Sequence, residues 1–299
     1  MVEKTSKYYV PEGSPWPLIA SIGLFTLVIG LGNFIQQTTE FGQQTLRSSG
    51  DWGQYPLMLG AAILIFVLFR WWRDTIRESI GGLHSDQLGG SYRQGMIWFI
   101  FSEVMFFGAL FGAFFYTRWL IIPWLAGEGN NAMTHEVLWP QFQAMWPLTT
   151  TPDGRTTQAM GAWGLPAINT AILLTSSVTL TIAHHALIVG ERGRLILFQG
   201  ATIVLGVVFL FLQAEEYIHA YQELGLTLDA GIYGSLFFML TGFHGMHVTL
   251  GTIMLIVMFF RILKGHFSAE NHFAYEAAAW YWHFVDVVWL FLFVCVYWL

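Results

Sequence analysis

The chain has 299 residues, of which 55% are hydrophobic, 17% aromatic and only 11% charged, and its mean hydropathy is +0.53. This composition excludes an ordinary soluble domain and gives no basis for nucleic-acid binding; it fits an all-α chain that crosses a membrane several times. The formal net charge of -6 decides little, because orientation in a bilayer follows where Lys and Arg sit rather than their total. The single cysteine, Cys295, excludes an internal disulfide framework and any CxxC metal site.

Residues 1–15 are polar, and the first apolar stretch is long enough to span and lacks a small-x-small exit, so targeting is expected to use that helix itself. Crossing about 30 Å of hydrocarbon takes about 20 apolar residues. Seven segments meet that requirement, at 16–36, 54–72, 94–120, 165–189, 195–218, 231–261 and 274–298. The third and sixth exceed it and should tilt or protrude. Two connections are long, 74–93 and 121–164; the second, with WPQFQAMWP and TTTPDGRTT, reads as an irregular surface loop rather than a second domain, leaving 1–299 as a single transmembrane domain. The chain has no visible internal repeat, which argues against a secondary transporter.

Flanks on one side carry Lys4, Lys7, Arg70, Arg73, Arg77, Arg93, Arg192, Arg194, Arg261 and Lys264, whereas the opposite side has only Arg47, Arg118 and Arg155. By the positive-inside rule the basic side, with the N-terminus, faces the cytoplasm or matrix, and the C-terminus lies outside.

Ionisable side chains at membrane depth are functional candidates by default. Glu103 follows Arg93 by ten residues, which sets it roughly 15 Å deep at about 1.5 Å per residue. Desolvation there favours an uncharged carboxyl, and both a helix-packing role and a proton-linked role fit. Gly108 and Gly112 form a GxxxG pair that would let another helix approach closely. On the seventh span His283 and Asp286 share a face, with Glu276 seven residues earlier on nearly the same face, a pattern that favours a mutually satisfied polar cluster over a proton path. His244 and His247 share a face of the sixth span, and His184 and His185 end the fourth. These pairs invite a metal or haem reading, but they sit at different depths, and a metal site needs ligands that converge with outer support. No metal ligand set is assigned. At the end of the second span Trp72, Arg73, Arg77 and Glu78, with Arg261 from the sixth, could hold an anionic lipid head group, although flank charges that merely set topology produce the same pattern.

Several blocks resemble subunit III of the haem-copper cytochrome c oxidases: SPWP (14–17), WWRDTIRE (71–78), the SEV run after RQGM (93–104), AHHAL (183–187), QAEEY (213–217), YGSLFFMLTGFHGMHVTLGT (233–252) and EAAAWYWHFVDVVWLF (276–291). The resemblance implies a non-catalytic subunit that carries no haem or copper of its own, in a proton-pumping terminal oxidase that reduces O2 to water in aerobic electron transport. It implies two helices splayed from the other five around a cleft that holds structural phospholipids, subunit I as the main contact, and subunit II within the complex. Trp72, Arg73, Arg77, Glu78 and Arg261 become lipid-site candidates, and Glu103 and Asp286 match buried family carboxylates. The role so implied is to keep the catalytic subunit active through turnover and to support proton uptake on the inner side. The length of the 121–164 loop points to a bacterial plasma membrane rather than a mitochondrial one. A solute transporter using Glu103, His283 and Asp286, or a bis-histidine haem subunit, are the competing readings.

Overall fold

The computed structural model describes residues 9–10, 13–38 and 52–299, so Lys4, Lys7 and Arg47 of the charge count lie outside the described residues. Among the described residues, seven helices are long and apolar enough to cross a membrane: α1 (Trp16–Thr38), α2 (Gln54–Ile80), α3 (Asp86–Tyr116), α4 (Leu165–Val189), α5 (Arg192–Gln222), α6 (Ile232–Leu263) and α7 (Phe273–Leu292). No strand occurs among the described residues.

Several helices outrun their apolar windows. α2 continues to Ile80 and α3 starts at Asp86, so the long connection expected at 74–93 shrinks to residues 81–85. Hydropathy marks where lipid ends, whereas the helix continues into the polar interface until the backbone is broken. Here the break comes at Gly81 and Gly82, the latter at φ 73°. α3 runs on through a π-helical stretch, Thr117–Ile121, and a last turn, Ile122–Leu125. Pro123 opens that turn and offers no N–H to the preceding turn, which accounts for the local widening. α7 likewise ends in a π-helical stretch, Phe293–Trp298.

The chain divides into two compact units, Met1–Tyr92 and Arg93–Leu299. In the first, α1 and α2 pair with their backbones almost touching. A Cβ built on Gly60 would lie 2.4 Å from the Leu27 nitrogen, and one on Gly30 would lie 2.2 Å from that of Leu57. Only glycine permits this approach, which gives apolar helices close van der Waals contact where lipid offers no hydrophobic drive. Asn33 fastens the turn end by accepting the Gly53 N–H at 2.9 Å. At the other end the Trp16 indole N–H donates to Asp74 at 3.0 Å, with Arg70 lying over the same ring.

In the second unit α7 is the most deeply enclosed span, and polar side chains fix its register. Trp282 donates to Ser176 of α4 at 2.9 Å, Trp289 donates to Thr170 of α4 at 2.9 Å, and Tyr275 donates to Gln199 of α5 at 2.6 Å. The Trp282 ring is admitted by Gly206 of α5 and Gly251 of α6, where an added Cβ would come within 2.8 Å of it. α3 joins through Phe99 on Tyr281, Phe107 on Phe284 and Phe111 on Phe291. The segment expected as a surface loop contributes to this core: Phe142, Leu148, Met160 and Ala162 are buried, and Trp146 packs edge-on against Phe114 and Tyr233. Its apolar and aromatic content returns it to the bundle despite its turn-rich sequence.

The α1–α2 contact yields a test. Gly60→Leu should weaken the pairing by at least about 1–3 kcal/mol, the usual range for overpacking, and raise hydrogen exchange along both helices. Unchanged protection would mean that the two backbones are not held this close.

Candidate functional site

Glu103 of α3 and His247 of α6 meet within the second unit, with Oε2 2.9 Å from Nε2. His247 is nearly buried, and Glu103 is mostly so. Phe107 lies edge-on to the imidazole while Phe106 and Tyr281 stack near it. On the far side of the ring, Nδ1 is 2.6 Å from the Phe243 carbonyl oxygen. That oxygen can only accept, so Nδ1 carries a proton. Nε2 of a neutral ring is then a bare acceptor, and Glu103 must donate to it as a carboxylic acid. The alternative is an imidazolium facing a carboxylate. Either way one proton lies between the two residues and the pair carries no net charge, which is the arrangement a low-dielectric interior tolerates.

The remaining polar residues separate into distinct contacts. Glu276 does not bond to His283; it forms an ion pair with Arg93 of α3 at 3.0 Å, and Arg93 also lies over the Phe273 ring. His283 Nδ1 is 2.7 Å from the Ser177 hydroxyl of α4 and 3.8 Å from Asp286 Oδ2, which is close enough for electrostatic attraction but not for a hydrogen bond. Asp286 is buried. His244, fully buried one turn from His247, turns to α7 instead, where Nε2 donates to the Val285 carbonyl at 3.2 Å between Phe209 and Trp289. The two histidines therefore have separate partners. His184 packs against His272 and Tyr275 near the basic end. Among the described residues, no group of three or more His, Cys, Asp or Glu side chains is arranged to hold a metal ion.

On α2 the acidic residues of WWRDTIRE are engaged within the first unit: Asp74 by Trp16, and Glu78 by the Tyr9 hydroxyl at 3.4 Å. Trp72, Arg73 and Arg77 are exposed, and neither arginine meets a carboxylate among the described residues. Arg261, in the second unit, is only 7% exposed. Its guanidinium lies over Phe267 at 4.4 Å with no carboxylate partner among the described residues.

Gly108 and Gly112, expected to mark a close helix approach, face open space within 4 Å of an added Cβ. The GxxxG spacing supplies a smooth groove, but no helix of the second unit enters it. Sequence reasoning also missed Ser177 and Arg93 as partners and Glu216 as a buried acid. The first two lie far along the chain from the residues they serve. Glu216 could have been separated from its neighbour Glu215 only by helical phase, since residues one apart point about 100° apart at 3.6 residues per turn.

A sequence model of the family described as Cytochrome c oxidase subunit III matches residues 6–125 and 131–299. Cytochrome c oxidase subunit 3 of Bos taurus is 40% identical over 299 residues, covering 100% of this chain and 99% of that protein. The proteins of the same name from Antilope cervicapra and Pelea capreolus show the same identity and coverage.

The shared proton has a measurable consequence. Glu103→Gln keeps a donor for Nε2 and should leave thermal stability near that of the unaltered protein. Glu103→Leu and His247→Leu each strand a buried partner and should cost about 1–3 kcal/mol. The double substitution should cost less than the sum of the two; simple addition would show that the side chains are not coupled.

Proposed function

Matched along nearly its whole length, the chain belongs to the cytochrome c oxidase subunit III family, and on that premise we propose that it is a supporting subunit that binds phospholipid and leaves the redox chemistry to its partners. The chain is a multi-pass membrane component of an oxidoreductase complex with other oxidase subunits. Within that complex it packs on subunit I, with subunit II in the same assembly. Haem and copper reside in the partner subunits, where they supply electron transfer and O2 reduction. This chain's own contribution is lipid retention, preservation of the catalytic subunit through turnover, and support of proton uptake on the basic side.

One observation carries the lipid reading. The acids at the end of α2 are held by Trp16 and Tyr9, while Trp72, Arg73 and Arg77 remain exposed without carboxylates among the described residues. An aromatic ring at the interface beside two arginines one helical turn apart suits a phosphate head group, each cation contributing about 1 kcal/mol of attraction to anionic lipid. Glu78 positions this edge through its bond to Tyr9. Arg261 adds a second requirement, because a desolvated guanidinium with no carboxylate calls for an anionic group from outside the chain, in this proposal a second lipid phosphate.

The basic side faces the cytoplasm or matrix in this reading. Loop length favours a bacterial plasma membrane; the mammalian relatives favour a mitochondrial inner membrane as the second reading.

Arg77→Ala should lower the phospholipid phosphorus retained by the purified complex and shorten the number of turnovers before inactivation, while initial turnover changes little. Unchanged lipid content and lifetime would remove Arg77 from the lipid site.

A further inference from the structure

The QAEEY block holds a buried acid that none of these roles uses. Glu215 and Glu216 are adjacent on α5, yet Glu215 lines an open cavity of about 650 Å³ whereas Glu216 is 0% exposed. One Glu216 oxygen accepts the Tyr297 hydroxyl at 2.6 Å. The other has no partner among the described residues. Around it are more polar side chains in the same condition. Gln213, one turn earlier on the same face, approaches Tyr297 without a well-formed bond from either carboxamide atom, and fully buried Asn169 of α4 has neither carboxamide atom bonded among the described residues. The Tyr233 hydroxyl lies beside the Met160 backbone without a well-formed bond, and its ring reaches Tyr297 through Phe237.

Helix register places Asn169 level with Gln213, while Tyr233 stands beside Met160 at the cavity. α4 and α5 are antiparallel and joined by the Thr179–Thr202 hydroxyl contact at 2.8 Å. Counting equally away from that pair sets Asn169 opposite Leu212 and Gln213, and Pro166 opposite Glu215. Pro166 and Glu215 do both line the cavity, together with Met160, Leu165 and Ile218. Asn169 and Gln213 therefore lie two to three residues, roughly 3–5 Å, beneath its floor.

The donor set identifies the ligand class. Two carboxamide NH2 groups and a phenol need acceptors, while a carboxyl oxygen and two carboxamide oxygens need donors. Water satisfies both kinds, and buried polar groups without protein partners are ordinarily met by it. A metal cation would serve the oxygens and leave every N–H stranded. The groups facing Glu216 are Tyr297 from the end of α7, Tyr233 from α6 and Tyr217 from its own helix, with Gln213 beside Tyr297 and Glu215 and His219 at the cavity above; none is Lys or Arg.

We propose that Asn169, Gln213, Glu216 and Tyr233 form a buried hydrated site, with Glu216 as its proton-binding group, that exchanges water and protons through this cavity with the aqueous phase on the side poor in Lys and Arg. The site lies at the opposite end of the bundle from the basic flanks and does not involve the Glu103–His247 pair.

Infrared spectroscopy of the intact oxidase complex tests it. A carboxylic-acid C=O band present in the wild type should be lost in Glu216→Gln, and in D2O that band should shift promptly, well before the amides of α5 exchange. Ile218→Trp, which crowds the cavity, should slow the shift without removing the band. A complex whose Glu216→Gln spectrum matches the wild type, or a band that stays unshifted until the helix amides exchange, would overturn the proposal. Should Glu216→Gln fail to assemble, radiolytic footprinting of the wild-type complex decides: oxidation of Tyr297 and Tyr233 despite their burial supports bound water, and absence of modification refutes it.

Discussion

A polar group within the hydrocarbon layer has no bulk water to turn to, so it must find its partner inside the bundle, on a neighbouring molecule or in a bound water. Much of this fold follows from that constraint. The hydroxyls, indoles and carboxamides of α4, α5, α6 and α7 meet one another in specific pairs, Trp282 with Ser176, Trp289 with Thr170, Tyr275 with Gln199 and Tyr217 with Thr241. Each pair fixes the rise and rotation of one helix against the next, which apolar contacts alone leave loosely set. Some ionisable groups obey the same rule: Glu103 pairs with His247, and Glu276 takes Arg93.

The same constraint separates what holds the fold from what is left available. Acids at the end of α2 are spent on Trp16 and Tyr9, and the exposed arginines beside them meet no carboxylate among the described residues. Arg261 is buried against an aromatic ring without an anion among the described residues. In the proposed function, cations left over after internal pairing are the ones assigned to lipid phosphates. Deep acids left over after internal pairing point to protons and water, as at Glu216.

Sequence alone revealed the spans, because an unbroken run of about 20 apolar residues is costly anywhere except across a bilayer. It also placed Glu103 at depth and put Glu276, His283 and Asp286 along one side of α7. What it could not supply was the partners. Arg93 and Ser177 come from helices far away in the chain, and periodicity within α7 says nothing of them. Shared helix face proved a weak guide for His244 and His247: three residues apart, they lean to opposite neighbours, one to Val285 and the other to Glu103. The glycine spacing misled for a related reason. Close approach needs a partner surface as well as a groove; Gly30 and Gly60 have one within the first unit, while Gly108 and Gly112 meet none within the second. Helix ends were misjudged because hydropathy senses lipid and the backbone does not.

The central claim is that these polar residues support an oxidase instead of performing its redox chemistry. The most direct measurement compares the purified oxidase with and without this chain for haem and copper content and for the time course of O2 consumption. The account predicts identical haem and metal content and a comparable initial rate, followed by much earlier inactivation when the chain is missing. Loss of a haem or a copper ion with the chain, or activity absent from the first turnover, would contradict it.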